Sequence, residues 1–274
     1  MSDIALVTGT SSGMGLAAAV ALAGQGLTVV ATMRDPGRAG ALRDAAAEAG
    51  VDVDVRALDV TDGAGAAACV EGVVRDHGRV DVLVNNAGRG CVGTAEQLDL
   101  ATVREQLEVN YLGAVTMTKL VLPGMRAAGR GRVVTVTSVG GVVGQPFADA
   151  YCGAKFAVEG FMQSLAVVAE RFGVWVSVVE PAAVASDFVA NVQRPGDTDD
   201  PYSTLMAAYV ARTEGAFANA QSAHEAGAAI AACATASEHR FRWQTSPAAT
   251  AFVGMSLADL DGERVLGATR TWIA

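Results

Sequence analysis

Several residue types are scarce in this chain, and each scarcity excludes a class of protein. Among 274 residues there are four cysteines and three histidines. The cysteines are scattered without a CxxC pair and the histidines are isolated, so the sequence predicts neither a disulfide framework nor a metal site. Charged residues make up only 18% of the chain. This low fraction, with 51% hydrophobic residues, argues against a disordered or fibrous protein and requires a large core.

Basic residues are also few. Twenty lysines and arginines stand against 29 aspartates and glutamates, which gives a formal net charge of −9 without any basic run. Such a chain is a poor partner for nucleic acid or for an anionic membrane. Only Lys119 and Lys155 are lysines. In a chain that otherwise uses arginine, we interpret Lys155 as retained for its chemistry, although chance would give the same count.

Uninterrupted apolar runs of membrane-spanning length are absent from the sequence. Residues 4–33 carry no charge, but glycines and a Thr/Ser run divide this segment into short pieces. The N-terminus has no basic region of the kind that begins a signal peptide. We therefore expect a soluble, cytoplasmic protein with no membrane partner.

Short apolar segments alternate with longer helical patterns along the first 180 residues. Six segments rich in Val, Ile or Leu are predicted as strands buried on both faces of a parallel sheet, at 4–8, 28–32, 51–57, 80–84, 132–137 and 174–179. Helix-length stretches separate them, at 13–25, 37–49, 63–76, 101–128 and 149–172. The alternation predicts an α/β fold, a doubly wound parallel β-sheet with helices on both faces. No linker divides it, so we expect residues 1–274 to form a single Rossmann-fold domain.

The pattern changes after the sixth predicted strand. Residues 191–201 form a turn-rich acidic loop, an Ala-rich helical stretch follows from about 202 to 237, and a last strand is predicted at 240–245. The Ala-rich stretch has few large apolar anchors and is interpreted either as a surface helical pair or as a lid over a substrate. Its position after the core strands favours a helical substrate lid over about residues 187–237.

A glycine-rich loop, T-G-T-S-S-G-M-G, joins the first predicted strand to the first predicted helix. Glycines allow a tight turn and a close approach to a pyrophosphate, and free N–H groups at the helix N-terminus receive its negative charge. Three glycines alone could form no more than a turn, but the strand-to-helix position is the context that dinucleotide binding requires. We therefore expect cofactor contacts from Gly9, Ser11, Ser12, Gly13, Met14 and Gly15.

The end of the second predicted strand bears on the identity of the cofactor. An acidic residue there would bond the adenosine ribose of NAD, but this place falls at Met33 and is followed by Arg34. The guanidinium of Arg34 could pair with a 2′-phosphate, and Ser11 could add a hydroxyl donor. Asp35 opposes this assignment, since it could neutralise Arg34 or face the ribose itself. The balance favours NADP(H) over NAD(H).

Four polar residues are candidates for catalysis. Tyr151 and Lys155 lie four residues apart in a helical pattern and so share one face. An ammonium beside a phenol lowers the pKa of the phenol toward working pH, which would make Tyr151 a proton donor and acceptor. Ser138 follows the fifth strand at the ligand edge of the sheet, although a turn serine is the ordinary alternative. Asn110 is a polar residue in an apolar helical context, where it either satisfies backbone groups or orders a water.

Taken together, these motifs resemble the short-chain dehydrogenase/reductase family. Five of them occur in the order and spacing of that family over roughly residues 3–190: the glycine loop, N-N-A-G at 85–88, Asn110, Ser138 and Y-x-x-x-K at 151–155. The resemblance implies that Tyr151 is the catalytic acid/base and that Lys155 binds the nicotinamide ribose. It also implies that Ser138 orients the substrate carbonyl and that Asn110 holds a water in a proton relay from Lys155.

The same resemblance implies further cofactor contacts. Asp59 would contact the adenine, and Asn86 would line the adenosine side. After the sixth strand the family usually has Pro-Gly and then a Val and a Thr, whereas here Ala182 replaces the glycine and Val184 and Ser186 take the later places. The backbone of Val184 could still hold the carboxamide and Ser186 keeps a hydroxyl, but Ala182 alters the local turn.

Two segments, 31–35 and 138–160, are more narrowly similar to the branch of the family that contains oestradiol 17β-dehydrogenase and retinol dehydrogenases, which use NADP(H). The tail at 240–271 is similar to that branch more loosely. This similarity implies an NADP(H)-dependent oxidoreductase that interconverts a ketone or aldehyde and an alcohol on a bulky hydrophobic substrate. The alternatives are an epimerase-type enzyme with a tightly bound nicotinamide and a non-catalytic NADP(H) sensor.

Family members commonly associate through two long helices, predicted here at 101–128 and 149–172. The resemblance therefore implies a homodimer or homotetramer. The apolar side chains of these helices could equally pack on the sheet; they are Leu107, Leu112, Leu120, Phe156, Phe161 and Leu165.

Overall fold

A computed structural model describes residues 2–185, 201–217 and 220–263. Nine strands occur in these ranges: β1 (Ile4–Thr8), β2 (Thr28–Met33), β3 (Asp54–Ala57), β4 (Val82–Asn85), β5 (Gly131–Val136), β6 (Val174–Glu180), β7 (Val184–Ala185), β8 (Gln221–Ser222) and β9 (Arg242–Gln244). Seven of them form one parallel sheet in the order β3-β2-β1-β4-β5-β6-β9. The short strands β7 and β8 pair separately, also in parallel.

Helices cover both faces of the sheet. The described ranges contain α1 (Gly13–Gly24), α2 (Gly40–Glu48), α3 (Gly63–His77), α4 (Leu100–Leu107), α5 (Gly113–Ala128), α6 (Asp149–Glu170), α7 (Ser203–Phe217), α8 (Ala223–Thr235) and α9 (Pro247–Ser256). Two short 3₁₀ turns, Pro36–Arg38 and Val139–Gly141, follow β2 and β5.

The core forms on both sides of the sheet because successive strand residues point to opposite faces. On β1, Leu6 packs into the cluster that contains Met117 of α5 and Met162 of α6. Its neighbours Ala5 and Val7 pack into the other cluster, which contains residues of α1 and α8. All five residues of β1 are buried, as expected for a strand covered on both faces. The predicted doubly wound fold is confirmed, while the extent of the single domain stays a prediction.

The long helix predicted at 101–128 is interrupted in the structure. A π-helical turn, Glu108–Leu112, separates α4 from α5. Such a turn places one extra residue in the helix, so the side chains after it are rotated relative to an uninterrupted α-helix. Here the turn contains the buried Asn110, whose amide bonds the loop at Arg89. Apolar periodicity does not predict this break.

The Ala-rich stretch also differs from the predicted lid. Its second half, α8, packs against α1, and a Cβ at Gly227 would lie 2.5 Å from the Cβ of Ala17. Ile230 and Ala231 are fully buried in this layer, so α8 is a core helix. Its small residues allow it to approach α1 closely. Residues 187–200 lie outside the described ranges. The lid therefore remains a prediction for α7, where Leu205 is 60% exposed.

Candidate active site

A cleft of about 1890 Å³ lies at the carboxyl ends of the central strands, where ligands bind in open parallel sheets. It contains most of the site residues predicted from the sequence: Gly9, Ser11, Ser12, Gly13, Met14, Gly15, Arg34, Asp59, Asn86, Ser138, Tyr151, Lys155 and Val184. Asn110 is buried behind the lining. Ser186 lies outside the described residues.

The glycine loop after β1 leaves no space for side chains. Gly9 and Gly13 have φ angles of +72° and +61°, which favour glycine. A Cβ at Gly15 would lie 2.2 Å from Nδ2 of Asn86 and 2.3 Å from the carbonyl oxygen of Gly9. The first turn of α1 therefore lies directly against the loop.

Asn86 fixes this loop to the end of β4. Its Nδ2 donates to the carbonyl oxygens of Thr8 and Gly9, both at 2.9 Å. The hydroxyl of Thr8 in turn accepts from the backbone N–H of Asn86 at 2.9 Å and of Ala87 at 3.0 Å. Asn86 was predicted from the resemblance as a cofactor contact. Its amide also holds the shape of the glycine loop.

The N-terminus of α1 is open toward a ligand. Ser12 is the N-cap residue with an extended backbone, its side chain makes no capping hydrogen bond, and the first turn carries no acidic residue. The positive end of the helix dipole and the first N–H groups of α1 therefore face the cleft without a side-chain partner at the cap. These features fit the pyrophosphate of a dinucleotide.

Arg34 follows β2, is exposed and lines the cleft. The carboxylate of Asp35, which could have neutralised Arg34, instead accepts from the N–H of Gly37 at 2.8 Å and starts a 3₁₀ turn. Asp59 also lines the cleft. Its pKa lies below the usual value because Thr61 donates to the carboxylate, and the positive charge of Arg34 adds to this effect. Arg34 and Asp59 therefore line the same cleft, and the arginine is close enough for its charge to act on the carboxylate.

Arg38 is a second cation on this wall of the cleft, and it was not predicted from the sequence. It lies at the end of the 3₁₀ turn that Asp35 caps, four residues after Arg34. The sequence does place Arg38 four residues after Arg34, which is helical spacing. The 3₁₀ turn that brings Arg38 to the cleft is, however, only three residues long, so it shows no periodicity in the sequence.

Ser138 and Tyr151 meet on the opposite wall. Ser138 follows β5, and its Oγ accepts from the N–H of Gly140 at 2.9 Å. Ser138 is also hydrogen-bonded to the phenol of Tyr151. Burial raises the pKa of Tyr151 to about 12, and the bond with Ser138 opposes this rise.

Lys155 lies one helical turn after Tyr151 on α6. Its Nζ donates to the carbonyl oxygen of Val136 at 3.1 Å and lies 5.8 Å from the centroid of the Tyr151 ring. Burial lowers the pKa of Lys155 to about 8, and the charge of Glu159 opposes this fall. The lowered phenol pKa expected from Lys155 is not found, because desolvation is the largest influence on Tyr151 and raises its pKa.

The side chain of Asn110 satisfies backbone groups, which was one of the two alternatives left open by the sequence. Its Nδ2 donates to the carbonyl of Arg89 at 2.9 Å and to Gln106 at 3.0 Å, and its Oδ1 accepts from the N–H of Arg89 at 3.2 Å. A Cβ at Gly88 would lie 2.9 Å from Oδ1 of Asn110 and 3.7 Å from Nζ of Lys155. Asn110 and Lys155 thus approach the same point from two sides.

A buried charged cluster, which the sequence analysis missed, lies behind these residues. Arg242 of β9 donates through Nη1 to Oε2 of Glu159 at 2.9 Å and to Oε1 of Glu180. Thr137 donates to the other oxygen of Glu159 at 2.5 Å. Glu159 follows Lys155 by four residues, which is a visible signal, but Glu180 and Arg242 come from distant strands.

Beyond Tyr151 the cleft is bounded by apolar residues of α7 and α9. Tyr209 and Val210 of α7 and Phe252 of α9 line it. The ring of Phe147 lies 5.4 Å from the ring of Tyr209, centroid to centroid, and connects α7 to the loop before α6. Phe147 itself has a φ angle of +61°, which is uncommon for a residue with a side chain.

Comparison with known proteins agrees with this geometry. A sequence model described as short chain dehydrogenase matches residues 3–196. The bovine protein retinol dehydrogenase 8 is 38% identical over 269 residues, covering 94% of this chain and 86% of that protein. Human 17-beta-hydroxysteroid dehydrogenase type 1 is 44% identical over 195 residues, covering 69% of this chain but only 59% of that protein.

Solved structures give the same result. A short-chain dehydrogenase from Streptomyces avermitilis is 30% identical with a TM-score of 0.82, covering 99% of this chain and 96% of that one. Actinorhodin polyketide ketoreductase, solved with NADPH, is 31% identical with a TM-score of 0.77, covering 89% and 95%. A short chain dehydrogenase/reductase from Burkholderia phymatum, solved with NAD, is 26% identical with a TM-score of 0.81, covering 94% of each chain.

The chain belongs to the short-chain dehydrogenase family, as its motifs, its sheet and these matches agree. It is an enzyme of that oxidoreductase family with a site for a nicotinamide cofactor and a small-molecule substrate. No helix in the described ranges is both long and apolar enough to cross a bilayer.

Proposed function

We propose that this protein is an NADP(H)-dependent oxidoreductase that interconverts a ketone or aldehyde and an alcohol on a bulky hydrophobic substrate, with Tyr151 as the acid/base. The proposal rests on one observation, which is that two groups of residues line the same cleft. The first group is the hydrogen-bonded pair Ser138 and Tyr151 with the buried Lys155. The second is the glycine loop at the N-terminus of α1, where the N-cap side chain makes no capping hydrogen bond.

The dinucleotide would be held by the loop and by the two arginines. Backbone N–H groups at the start of α1 suit the pyrophosphate, with contacts from Gly9, Ser11, Ser12, Gly13, Met14 and Gly15. Arg34 and Arg38 suit a 2′-phosphate, and the engagement of Asp35 with Gly37 supports this assignment. The solved relatives hold either NADPH or NAD, so the preference for NADP(H) rests on the arginines.

Five remaining residues complete the proposed cofactor site. Asp59 and Asn86, which line the cleft, would contact the adenosine side of the cofactor. Val184 would hold the carboxamide through its backbone and Ser186 through its hydroxyl. Lys155 would bind the nicotinamide ribose.

The chemistry follows from the protonation state of each side chain. When bound, the reduced nicotinamide supplies a hydride to the carbonyl carbon. Ser138 would donate a hydrogen bond to the carbonyl oxygen, while its own oxygen accepts from the N–H of Gly140. Tyr151 gives its proton to the developing alkoxide, and its pKa of about 12 keeps the phenol protonated until that step. Acid catalysis of this kind contributes about 10²–10⁴-fold.

Lys155 and Asn110 serve the return of the proton. The ammonium of Lys155 stabilises the phenolate that Tyr151 leaves behind. Asn110 holds the loop at Arg89 next to Lys155, and a water in the relay would complete the path to solvent. In the oxidation direction the same groups act in reverse.

The substrate end of the cleft supports a bulky, apolar compound. Its walls include Tyr209, Val210 and Phe252, and α7 covers it. We propose that α7 moves as the lid, with the contact between Phe147 and Tyr209 holding it to the active-site loop. The relatives named for retinol and for a hydroxysteroid agree with a substrate of this class.

We also propose a homodimer or homotetramer that associates through two long helical stretches, one made of α4, the π turn and α5 and the other of α6. Leu112 of the π turn and Phe156 of α6 are 40% and 46% exposed. Leu120, Phe161 and Leu165 pack against the core instead, so only part of each apolar face is available to a partner.

Replacing Tyr151 by Phe tests the catalytic assignment. We expect turnover of hydrophobic ketones with NADPH to be abolished, because the proton donor is removed while the ring stays. Stabilisation by NADPH should be retained, at roughly 2.7 kcal/mol when the nucleotide is at about a hundred times its Kd. Turnover is measured as loss of NADPH absorbance and stabilisation by thermal unfolding.

Tyr111→Phe is the matched control, since Tyr111 packs edge-on against Phe161 in the core. It should keep wild-type turnover. Activity of Tyr151→Phe within tenfold of wild type would contradict the assignment. Substrate conversion without net consumption of NADPH would favour the epimerase alternative.

A further inference from the structure

The side chain of Gln145 lies beside the two residues proposed to hold the substrate carbonyl. Gln145 lines the cleft and is partly buried, in the loop between β5 and α6. A Cβ at Gly140 would lie 3.0 Å from Nε2 of Gln145. The same Cβ would lie 3.3 Å from both Oγ of Ser138 and Cε1 of Tyr151. Atoms of these three side chains therefore surround one point, and only a glycine at position 140 leaves the space between them open.

The backbone of Gln145, rather than its side chain, forms the turn in this loop. Its carbonyl oxygen accepts from the N–H of Ala148 at 3.1 Å, and its N–H is hydrogen-bonded to the thiol of Cys152 on α6. The N–H of Gly93 donates to the carbonyl oxygen of Phe147 at 2.7 Å, which fastens the turn to a neighbouring loop. The turn is held by these contacts, so its shape does not require the side-chain amide of Gln145.

That amide is available to a ligand. Within the part of the chain that the structure describes, no hydrogen bond reaches Oε1 or Nε2 of Gln145. A carboxamide offers two N–H donors and one carbonyl acceptor, and in a partly desolvated site it costs free energy to leave them unpaired. A bound molecule with a complementary polar group would satisfy them.

Other polar side chains that line the cleft are already engaged within the protein. On the wall formed by α7, β8 and the residues before α9, Thr213 donates to the carbonyl oxygen of Val210 at 2.8 Å. Gln221 and Thr245 bond each other, and Ser246 caps α9. Gln145 differs from these residues because its polar atoms point to no partner of this kind.

We propose that the Gln145 amide determines substrate specificity by donating a hydrogen bond to a second oxygen of the substrate, on a carbon separated from the reacting carbonyl carbon by one atom. This role rests on the proposed function and narrows its substrate class. The class is a bulky apolar ketone with a second carbonyl or ester oxygen in this 1,3 relationship, such as a 3-oxo ester.

The position of the amide determines where that second oxygen lies. In the proposed reaction the reacting oxygen accepts from Ser138 and Tyr151, and the amide lies next to both residues. Two oxygens in a 1,3 relationship lie close together when they point to the same side of the chain, so one can bind the pair while the other binds Gln145. Nε2 is the amide atom on this side, which favours an acceptor oxygen. A methylene in its place would leave the donor unpaired, and sites of this kind discriminate strongly against such analogues.

Reduction of two ketones of matched chain length tests the proposal. Ethyl 3-oxooctanoate carries the second oxygen, and 6-undecanone has the same number of chain atoms and the same carbonyl position without it. Gln145→Met keeps the length of the side chain but removes the amide. We expect it to lower the ratio of kcat/KM for the ester to kcat/KM for 6-undecanone by about three- to tenfold, the effect of one neutral hydrogen bond. The loss should appear mainly in KM for the ester, because the bond forms in the ground state as well as in the transition state.

Two further variants distinguish donation by the amide from general disturbance of the cleft. Gln145→Glu places a carboxylate there, which only accepts hydrogen bonds, so it should lower the ratio at least as far as Gln145→Met. Thr213→Val is the matched control, since Thr213 lines the cleft but donates to its own helix, and it should leave the ratio unchanged. A ratio in Gln145→Met within twofold of wild type, an equal fall in Thr213→Val, or a ratio in Gln145→Glu above wild type would refute the proposal.

Binding without turnover separates the role of Gln145 from the proposed function. In Tyr151→Phe with NADPH bound, ethyl 3-oxooctanoate should stabilise the protein against thermal unfolding more than 6-undecanone does, although it is the less apolar compound. Adding Gln145→Met should remove this difference. Equal or weaker stabilisation by the ester when Gln145 is present would refute the role of the amide. Ketone reduction by Tyr151→Phe, or none by the wild type, would reject the proposed function, and the binding difference would then decide on Gln145 alone.

Discussion

Burial governs the titration of the individual residues proposed to move protons. Tyr151 and Lys155 have opposite charged forms, and burial disfavours both, raising the pKa of the phenol to about 12 and lowering that of the amine to about 8. The i,i+4 spacing correctly predicts that they share a face of α6. Spacing carries no information on desolvation, which is why the expected lowering of the phenol pKa was wrong.

Arg34 is the residue on which the cofactor preference depends. We expect Arg34→Gln to weaken binding of NADPH by about 10–100-fold, since a charge-assisted hydrogen bond contributes about 1.5–3 kcal/mol. Binding of NADH should change little, because NADH lacks the 2′-phosphate. Dissociation constants for the two nucleotides, from calorimetry or from thermal stabilisation, provide the measurement.

Arg43→Gln is the control for this substitution. Arg43 is exposed on α2, and its replacement by Gln removes the same charge at a position outside the cleft. Equal losses for NADPH and NADH in Arg34→Gln would mean that Arg34 does not contact a 2′-phosphate. A loss of similar size in Arg43→Gln would attribute the effect to net charge.

The glycine loop and helix α1 act together as one element, because Asn86 bonds the loop and α1 lies against both. A methyl group at Gly15 would lie 2.2 Å from Nδ2 of Asn86. We expect Gly15→Ala to lower the free energy of unfolding by about 1–3 kcal/mol, the usual cost of overpacking, and to weaken binding of all four nicotinamide nucleotides. Urea unfolding measures the first effect and thermal stabilisation by each nucleotide the second.

The last residue of the same helix is the matched control. Gly24 is exposed, and a Cβ there would meet nothing within 4 Å. Gly24→Ala should leave the free energy of unfolding unchanged or raise it by up to about 1 kcal/mol, because alanine is the better helix former. If the two substitutions change stability with the same sign and size, the close contact at Gly15 is not what constrains the loop.

Among the elements, those with a strong local pattern were predictable from the sequence. The strands ending at Thr8 and Val136 and the helix beginning at Gly13 fall within a residue or two of the prediction. The π turn that contains Asn110 was not predictable, because it depends on a contact with Arg89 in a distant loop. The burial of α8 was missed because small residues such as Gly227 and Ala231 look like a weak surface pattern until α1 lies against them.

At the scale of the whole molecule, the buried cluster joins parts of the chain that are far apart in sequence. Glu159 lies on α6, Glu180 on β6 and Arg242 on β9, so the ion pairs connect the last strand of the sheet to α6. No spacing rule predicts a pair separated by 83 residues. The residues proposed for catalysis could be selected from the sequence, whereas the buried charges behind them required the assembled sheet.

Arg242→Met tests the contribution of this cluster to stability. Removing one partner of a buried ion pair costs about 3–5 kcal/mol, because the other charge stays buried without compensation. We expect a loss of this size in the free energy of unfolding at pH 9, measured by urea unfolding. The loss should be smaller at pH 6, because Glu159 is protonated there in both proteins and leaves no uncompensated charge.

The sign of the pH dependence follows from the direction of the shift. The pKa of Glu159 is raised from 4.5 to about 8 in the folded protein, so the folded state keeps a proton that the unfolded state releases between those values. Stability from this group therefore falls as pH rises through that window, by up to about 1.4 kcal/mol per unit for one proton. Without Arg242 the pKa of Glu159 rises further. The wild type then ionises Glu159 above about pH 8 while the variant does not, so the penalty of the variant grows with pH above that value.

Arg75→Met is the control, since it removes an exposed ion pair with Asp76 and should cost at most about 1 kcal/mol at either pH. A loss in Arg242→Met that is equal at pH 6 and pH 9 would mean that this arginine does not favour the ionised form of Glu159.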